Sequence, residues 1–257
     1  MKDAKENALV TAGLPAFSFG ADLGAGMEGA DKESFAIPFL RVIQSGSPQV
    51  KRTEAAYNPA AKEGMLINSV TGELIDGDAG LIIIPCAFQR RFIRWAGEGK
   101  PNKGAYLGEF LPEEVEAMKA TGKVVEFDGY PTIEGDDLTD TRSHYVLVET
   151  ANGVTQALFP LTSTQIKKSK QLLSILSNIK VCVDGKLVTP PTWLNRIKVT
   201  TVPESNEKGS WMGVKFEPVG FVQDEEVYNA GKEFHDTVTA GAVKVAYAST
   251  EGEPGKF

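Results

Sequence analysis

Cations and flat rings are concentrated in one part of this chain. Leu158–Phe216 holds nine Lys or Arg (Lys167, Lys168, Lys170, Lys180, Lys186, Arg196, Lys198, Lys208, Lys215) against three acids (Asp184, Glu204, Glu207). That local balance of +6 stands in a chain whose net charge is −7. Two of the three tryptophans, Trp193 and Trp211, lie among these cations. Cations spaced along a groove can follow a phosphate backbone, and exposed aromatic faces stack bases of any identity. The same composition also fits buried rings beside a solvated lysine face, since large aromatics are mostly interior. A second concentration is Phe88-Gln89-Arg90-Arg91-Phe92-Ile93-Arg94-Trp95. If extended, it puts Phe88, Arg90, Phe92 and Arg94 on one side and Gln89, Arg91, Ile93 and Trp95 on the other. Neither side is apolar, as the face of a plain core strand would be.

Other chemistry has little to build on. The two histidines, His144 and His235, lie near no cysteine and in no H-x-x-x-H pattern, so each is expected to be a satisfied, isolated histidine. Cys86 and Cys182 each interrupt an apolar run and are expected as small buried hydrophobes in a reducing setting. Glu134–Asp140 is acidic but lacks the spacing of a calcium loop and is expected to be a solvated turn. Gly24-Ala25-Gly26-Met27-Glu28-Gly29 matches G-x-G-x-x-G without the strand and helix that give that motif meaning. No catalytic site, metal or cofactor is therefore expected. The balance of 27 basic to 34 acidic residues argues against binding nucleic acid by overall charge, though not against a local site. The N-terminus MKDAKENALV has no signal-peptide core, and no apolar run approaches a membrane span, so a soluble protein is expected.

Several elements must position these residues. Residues 1–34, rich in Gly and Ala, read as a flexible arm, and 35–222 as one domain. Gly64–Val70, Leu81–Ile84 with Phe88–Trp95, Ser143–Thr150, Val154–Pro160, Arg196–Val202 and Ser210–Glu217 read as strands. Residues 97–140 read as an acidic, mostly loop-like insertion with one helix near Leu111–Thr121, where Pro112 suits the first turn and Gly122 the stop. Thr162 with Gln165 forms a capping-box pattern, opening a helix that turns Ile166, Leu172, Leu173, Ile175, Leu176 and Ile179 inward and Lys167 and Lys170 outward. In Ser210–Glu217, Trp211 and Lys215 share one parity while Met212, Val214 and Phe216 share the other, which predicts an exposed Trp211. Residues 223–257 read as an acidic helix and a polar tail. The fold class is mixed α+β, mainly β.

The segments Phe35–Gln44 with Ser47-Pro48-Gln49-Val50, Gly64–Asn68, Leu161–Lys170, Pro190-Pro191 and the Trp211 strand together resemble a group of tailed-bacteriophage proteins. That group belongs to replication and recombination modules and is associated with single-stranded-DNA binding. The resemblance implies an OB-fold-like five-stranded barrel, operating in the cytoplasm of the bacterial host, with an acidic tail that recruits phage replication or recombination enzymes. Glu251, Glu253 and Phe257 are similar to such a tail, from which Lys256 departs. On this reading Arg90, Arg91, Arg94, Lys167, Lys170, Arg196, Lys198 and Lys215 contact phosphates, and Phe92, Trp95, Trp193 and Trp211 stack bases. A homo-oligomer is compatible with it. The alternative is a phage structural or assembly protein whose charged segments are complementary subunit contacts, and a weaker one is an accessory that binds duplex ends.

Overall fold

In the computed structural model, residues 25–28, 36–127, 129–207, 209–243 and 245 are described. Nearly all of the expected arm, and the tail residues Glu251, Glu253 and Phe257, lie outside them.

Two 15-residue strands, β4 (Leu81–Trp95) and β8 (Asp136–Thr150), form the frame. They pair antiparallel from Ile83 opposite Val148 to Trp95 opposite Asp137. β-Branched residues dominate the first half of β4, where both faces are buried. The remaining strands extend the frame into one sheet of order β13 (Gly209–Phe221), β12 (Asn195–Asn206), β4, β8, β7 (Tyr130–Ile133), β6 (Val124–Phe127). In addition β5 (Tyr106–Phe110) pairs with the far half of β4, and β9 (Gly153–Thr162) pairs with β8. A small sheet of β1 (Leu40–Val42), β2 (Leu66–Asn68) and β3 (Leu74–Ile75) and a separate hairpin of β10 (Val181–Val183) and β11 (Lys186–Val188) complete the strands.

The fold is mainly β with helices, as the sequence indicates, but its sheets are open. β13 and β6 end the path of the large sheet and do not pair with each other. β4 exchanges partners along one edge, β12 at Leu81–Ile83 and β5 at Phe92–Trp95, so the sheet branches where an OB barrel would close. The expected five-stranded barrel is therefore not what these strands build.

Residues 97–140 differ from the expected loop. They form β5, α1 (Pro112–Ala120), β6, β7 and the start of β8, around a small core of Phe92, Val115, Val124, Ile133 and Leu138. Each short element contributes only one or two apolar residues to that core, so hydrophobic periodicity is weak within any one of them.

α2 (Ile166–Asn178) buries Ser169, Leu172 and Leu176 against the main core of Ile83, Val146, Phe159, Ile197, Val214 and Phe216. The expected capping box is absent: Ser163–Gln165 is a separate 3-10 turn, with Ser163 at φ 47° and no side-chain cap. α3 (Glu225–Thr239) starts at Asp224, whose carboxylate accepts the Glu226 N–H, with Glu225 and Glu226 in the first turn. Its Phe234 and Val238 join a second core with Ile84, Tyr145, Leu147 and Leu158, so this acidic helix is packed into the domain. The two cysteines part company. Cys86 is buried, whereas Cys182 is exposed on β10, correcting the expectation for it.

Candidate nucleic-acid interface

The outer face of the β12–β13 ribbon carries four of the expected site residues, Arg196, Lys198, Trp211 and Lys215. In this antiparallel pair Lys198 lies opposite Glu217, Thr200 opposite Lys215, Val202 opposite Gly213 and Glu204 opposite Trp211. Ile197, Val199, Thr201, Val214 and Phe216 alternate with them and are buried, so period two separates a core face from an outer face. Arg196 starts the outer row and Glu204 ends it, eight residues or about 26 Å along the strand. At the Glu204 end α2 leans in: Lys168 Nζ lies 2.7 Å and Lys167 Nζ 3.5 Å from the Glu204 carboxylate. Lys167 also caps the Trp211 ring, 5.6 Å from its centroid. Lys170, one turn on, is exposed.

Glu204 holds this end together. It accepts from Trp211 Nε1 at 3.0 Å, and its side chain fills the space over Gly213, where a Cβ would come within 2.5 Å of it. Burial raises its pKa, but the Lys168 ammonium and the Trp211 N–H outweigh this and hold it below the ordinary carboxylate range. Trp211 is 8% exposed, so its predicted free ring face is absent. Strand parity places it on the outer side correctly. Glu204 from the paired strand and Lys167 from α2 then cover it.

Arg196 is held bidentate by Glu149, both contacts at 2.6 Å, and Lys215 lies 3.5 Å from Glu217. Lys198 and Lys170 have no ion pair among the described residues. Along the ribbon and the facing end of α2, six cations (Lys167, Lys168, Lys170, Arg196, Lys198, Lys215) thus meet three carboxylates (Glu149, Glu204, Glu217).

The arginines of β4 are matched more completely. Arg90 is bidentate on Asp140, with contacts of 3.0 and 2.7 Å, and stacks over Phe92. Arg91 meets Glu109 at 3.5 Å, and Arg94 bonds Asp136 and Glu134, each at 2.8 Å. Arg142, directly opposite Arg90 in the register, reaches the same Asp140. Five cations here (Arg90, Arg91, Arg94, Lys100, Arg142) face Asp140, Glu109, Glu134 and Asp136, with Glu116 adding its field at Arg90. Asp136 is fully buried. Burial raises its pKa, yet Lys100, the Gly97 N–H and Arg94 together pull it below the ordinary range. This cluster pins the turn after β4 to β8. Neither Arg142 nor Lys100 carries a local signal in the sequence: the β4–β8 register brings Arg142 here, and the turn after β4 brings Lys100 to Asp136.

The other expected rings also divide. Phe92 is buried in the small core. Trp95, half-buried, packs edge-to-face on Tyr106 across β4–β5, with centroids 6.1 Å apart. Trp193 packs between Tyr228 and His235 of α3, close against Gly231, where a Cβ would lie 2.9 Å from the Trp193 Cβ. It anchors α3 and lies apart from the β12–β13 outer row.

A cleft of about 350 Å³ lies between β4, α2 and α3. It is lined by Cys86, Phe88, Gln89, Leu173, Val238 and both histidines, among others. His144 Nε2 meets Ser169 Oγ at 2.8 Å, and burial, then the Arg142 charge, depresses its pKa to about 4. His235 Nδ1 lies 3.0 Å from the Cys86 carbonyl, so Nδ1 carries the proton. Burial pushes the Cys86 thiol up to about 12. His144 and Cys86 are therefore neutral near pH 7, and among the described residues no three His, Cys, Asp or Glu stand together as metal ligands.

The fold and site define a mainly β α+β protein with an open sheet and a cation-lined outer ribbon. No helix among the described residues is long and apolar enough to cross a membrane. The chain belongs to the Pam3 phage gp34-like protein family, whose model matches residues 4–244. The phage kinship expected from the sequence is thereby shown. No curated protein and no solved structure matches the chain.

Proposed function

We propose that the protein binds single-stranded DNA without strong sequence preference, during phage replication or recombination in the host cytoplasm, along the outer face of the β12–β13 ribbon. One observation carries this reading: strand register and the approach of α2 gather six cations, Arg196, Lys198, Lys215, Lys167, Lys168 and Lys170, on the ribbon and the facing helix, against three carboxylates, Glu149, Glu204 and Glu217. The β4 arginines, matched by acids, are assigned to holding the sheet together. With Phe92 and Trp211 interior, affinity rests on phosphate contacts more than on base stacking. The tail residues Glu251, Glu253 and Phe257 remain the proposed contact for a replication or recombination enzyme. No catalytic step belongs to this reading.

A labelled oligonucleotide, single-stranded and then as a duplex, titrated at two salt concentrations tests it. Three net phosphate contacts give a log–log salt slope of about −2, or roughly 20-fold weaker binding for a fourfold rise in salt. Weak binding with no salt effect refutes the proposal, and equal binding to duplex favours the accessory that engages duplex ends. A structural or assembly role is the second reading, supported by two hairpins that expose large apolar side chains, Phe127 on one and Leu187 on the other.

A further inference from the structure

At the Glu204 end of the ribbon, three donors converge on one carboxylate. Lys168 Nζ lies 2.7 Å from Glu204 Oε1, while Lys167 Nζ at 3.5 Å and Trp211 Nε1 at 3.0 Å both meet Oε2. The first turn of α2 contains no acid, so none there competes for the two lysines. The Glu204 side chain is 16% exposed, whereas Lys167 is 60% exposed and reaches in from the open side. Two ammonium groups and an N–H around one singly charged oxygen pair also suit a phosphodiester, whose oxygens accept from the same donors. The other carboxylates of the ribbon are held more simply, Glu149 by one arginine and Glu217 by one exposed lysine.

A missing side chain makes the seat for this carboxylate. Gly213 lies in the same outer row, opposite Val202, and the three atoms nearest to a Cβ at that position all belong to Glu204, at 2.5, 2.7 and 3.1 Å. The carboxylate therefore folds back over the glycine instead of projecting from the strand. The backbone beneath is fixed independently. Gln44 donates to the Met212 carbonyl at 2.9 Å and accepts the Met212 N–H at 2.8 Å. Rotation about the Glu204 side-chain torsions is thus enough to empty the seat, with no change in strand register. Because Glu204 and Lys167 are what cover Trp211, their departure also uncovers the indole.

We infer that Lys167, Lys168 and Trp211 form a phosphate-and-base subsite for single-stranded DNA, which Glu204 occupies in the free protein as a substitute for the phosphate. An arriving phosphodiester takes over the two lysines and the indole N–H, and Glu204 turns out to solvent. The uncovered Trp211 ring then stacks the adjoining base. One anion replaces another on the same donors, so the lysines are paired before and after the exchange. A duplex supplies the phosphate but no unpaired base, and gains less here. The inference rests on the reading of the ribbon as the DNA-binding face.

The test uses the full chain, an oligothymidylate with and without a fluorescent label, and the variants E204Q, G213A and W211F, each checked by circular dichroism against the parent. E204Q removes the charge and keeps the shape. G213A keeps every charge, and its Cβ displaces the carboxylate. One freed net phosphate contact at about 0.1 M salt tightens binding about fivefold and steepens the log–log salt slope by about 0.7, the outcome expected for E204Q. G213A should tighten binding about twofold, because the displaced charge stays on the ribbon. Unlabelled oligothymidylate should quench the tryptophan emission of the parent, and the fractional quenching should be largely lost in W211F. If the parent binds with a salt dependence, the ribbon reading stands, and the inference is overturned by E204Q or G213A binding no tighter, or by equal quenching in parent and W211F. Parent binding without salt dependence removes the ribbon reading and the inference together. The quenching comparison needs no change at Glu204 or Gly213, so it decides the matter if either variant loses the parent spectrum.

Discussion

His144 makes the stability of this protein depend on pH in a defined window. It is 1% exposed on β8, its Nε2 is engaged by Ser169 Oγ, and its pKa is depressed to about 4 by burial and by the neighbouring Arg142. In the unfolded chain it titrates near its ordinary value of about 6.5, so between the two values the unfolded state binds the extra proton. Its cost is absent above pH 6.5 and grows as pH falls towards 4. A difference of about 2.5 units at 1.36 kcal/mol each amounts to about 3 kcal/mol across the window, of which about 2 kcal/mol is lost by pH 5. Carboxylates held below their ordinary range, Asp136 and Glu204 among them, lose their contribution mainly below about pH 4.5 and overlap little with the upper part of the window. Urea unfolding at half-unit steps from pH 7.5 to 4.5, on the parent and on His144→Gln, measures the term directly. Glutamine leaves a neutral hydrogen-bonding partner near Ser169 and removes the titration. The parent should lose about 2 kcal/mol more than the variant between pH 7 and pH 5. Parallel loss in the two proteins over that interval would refute the reasoning.

Three further outcomes separate the roles assigned above. Lys170→Gln should reduce the magnitude of the salt slope for single-stranded DNA by about 0.7, whereas Arg90→Gln should leave it unchanged and lower stability by about 1 kcal/mol through loss of the Asp140 pair. Trp211→Phe should retain salt-dependent binding in the same titration while lowering the urea midpoint, because Glu204 loses the indole N–H it accepts from. Gly97→Ala should destabilise at the upper end of about 1–3 kcal/mol, since its Cβ would stand 1.8 Å from the Gly135 carbonyl oxygen; a melting temperature equal to that of the parent would contradict the packing described there.

Local signals in the chain determined a good deal. Alternation along Ser210–Glu217 is a property of neighbours in sequence, and it correctly placed Val214 and Phe216 inward and Lys215 outward. The helical spacing of Leu172 and Leu176 against Lys167 and Lys170, the hairpin between β8 and β9 and the acidic start of α3 were legible for the same reason. What the tertiary structure decided is which charges are already spent and which rings are covered. Arg90 and Asp140 lie 50 residues apart, and Arg196 and Glu149 lie 47 apart, so no window along the chain reveals that each neutralises the other. Trp211 sits on the outer side that its parity assigns, yet it is sealed by Glu204 and by Lys167, which arrive from a paired strand and a packed helix. Periodicity fixes the side of an element on which a residue lies, while burial and ion pairing depend on what another part of the chain brings to that side.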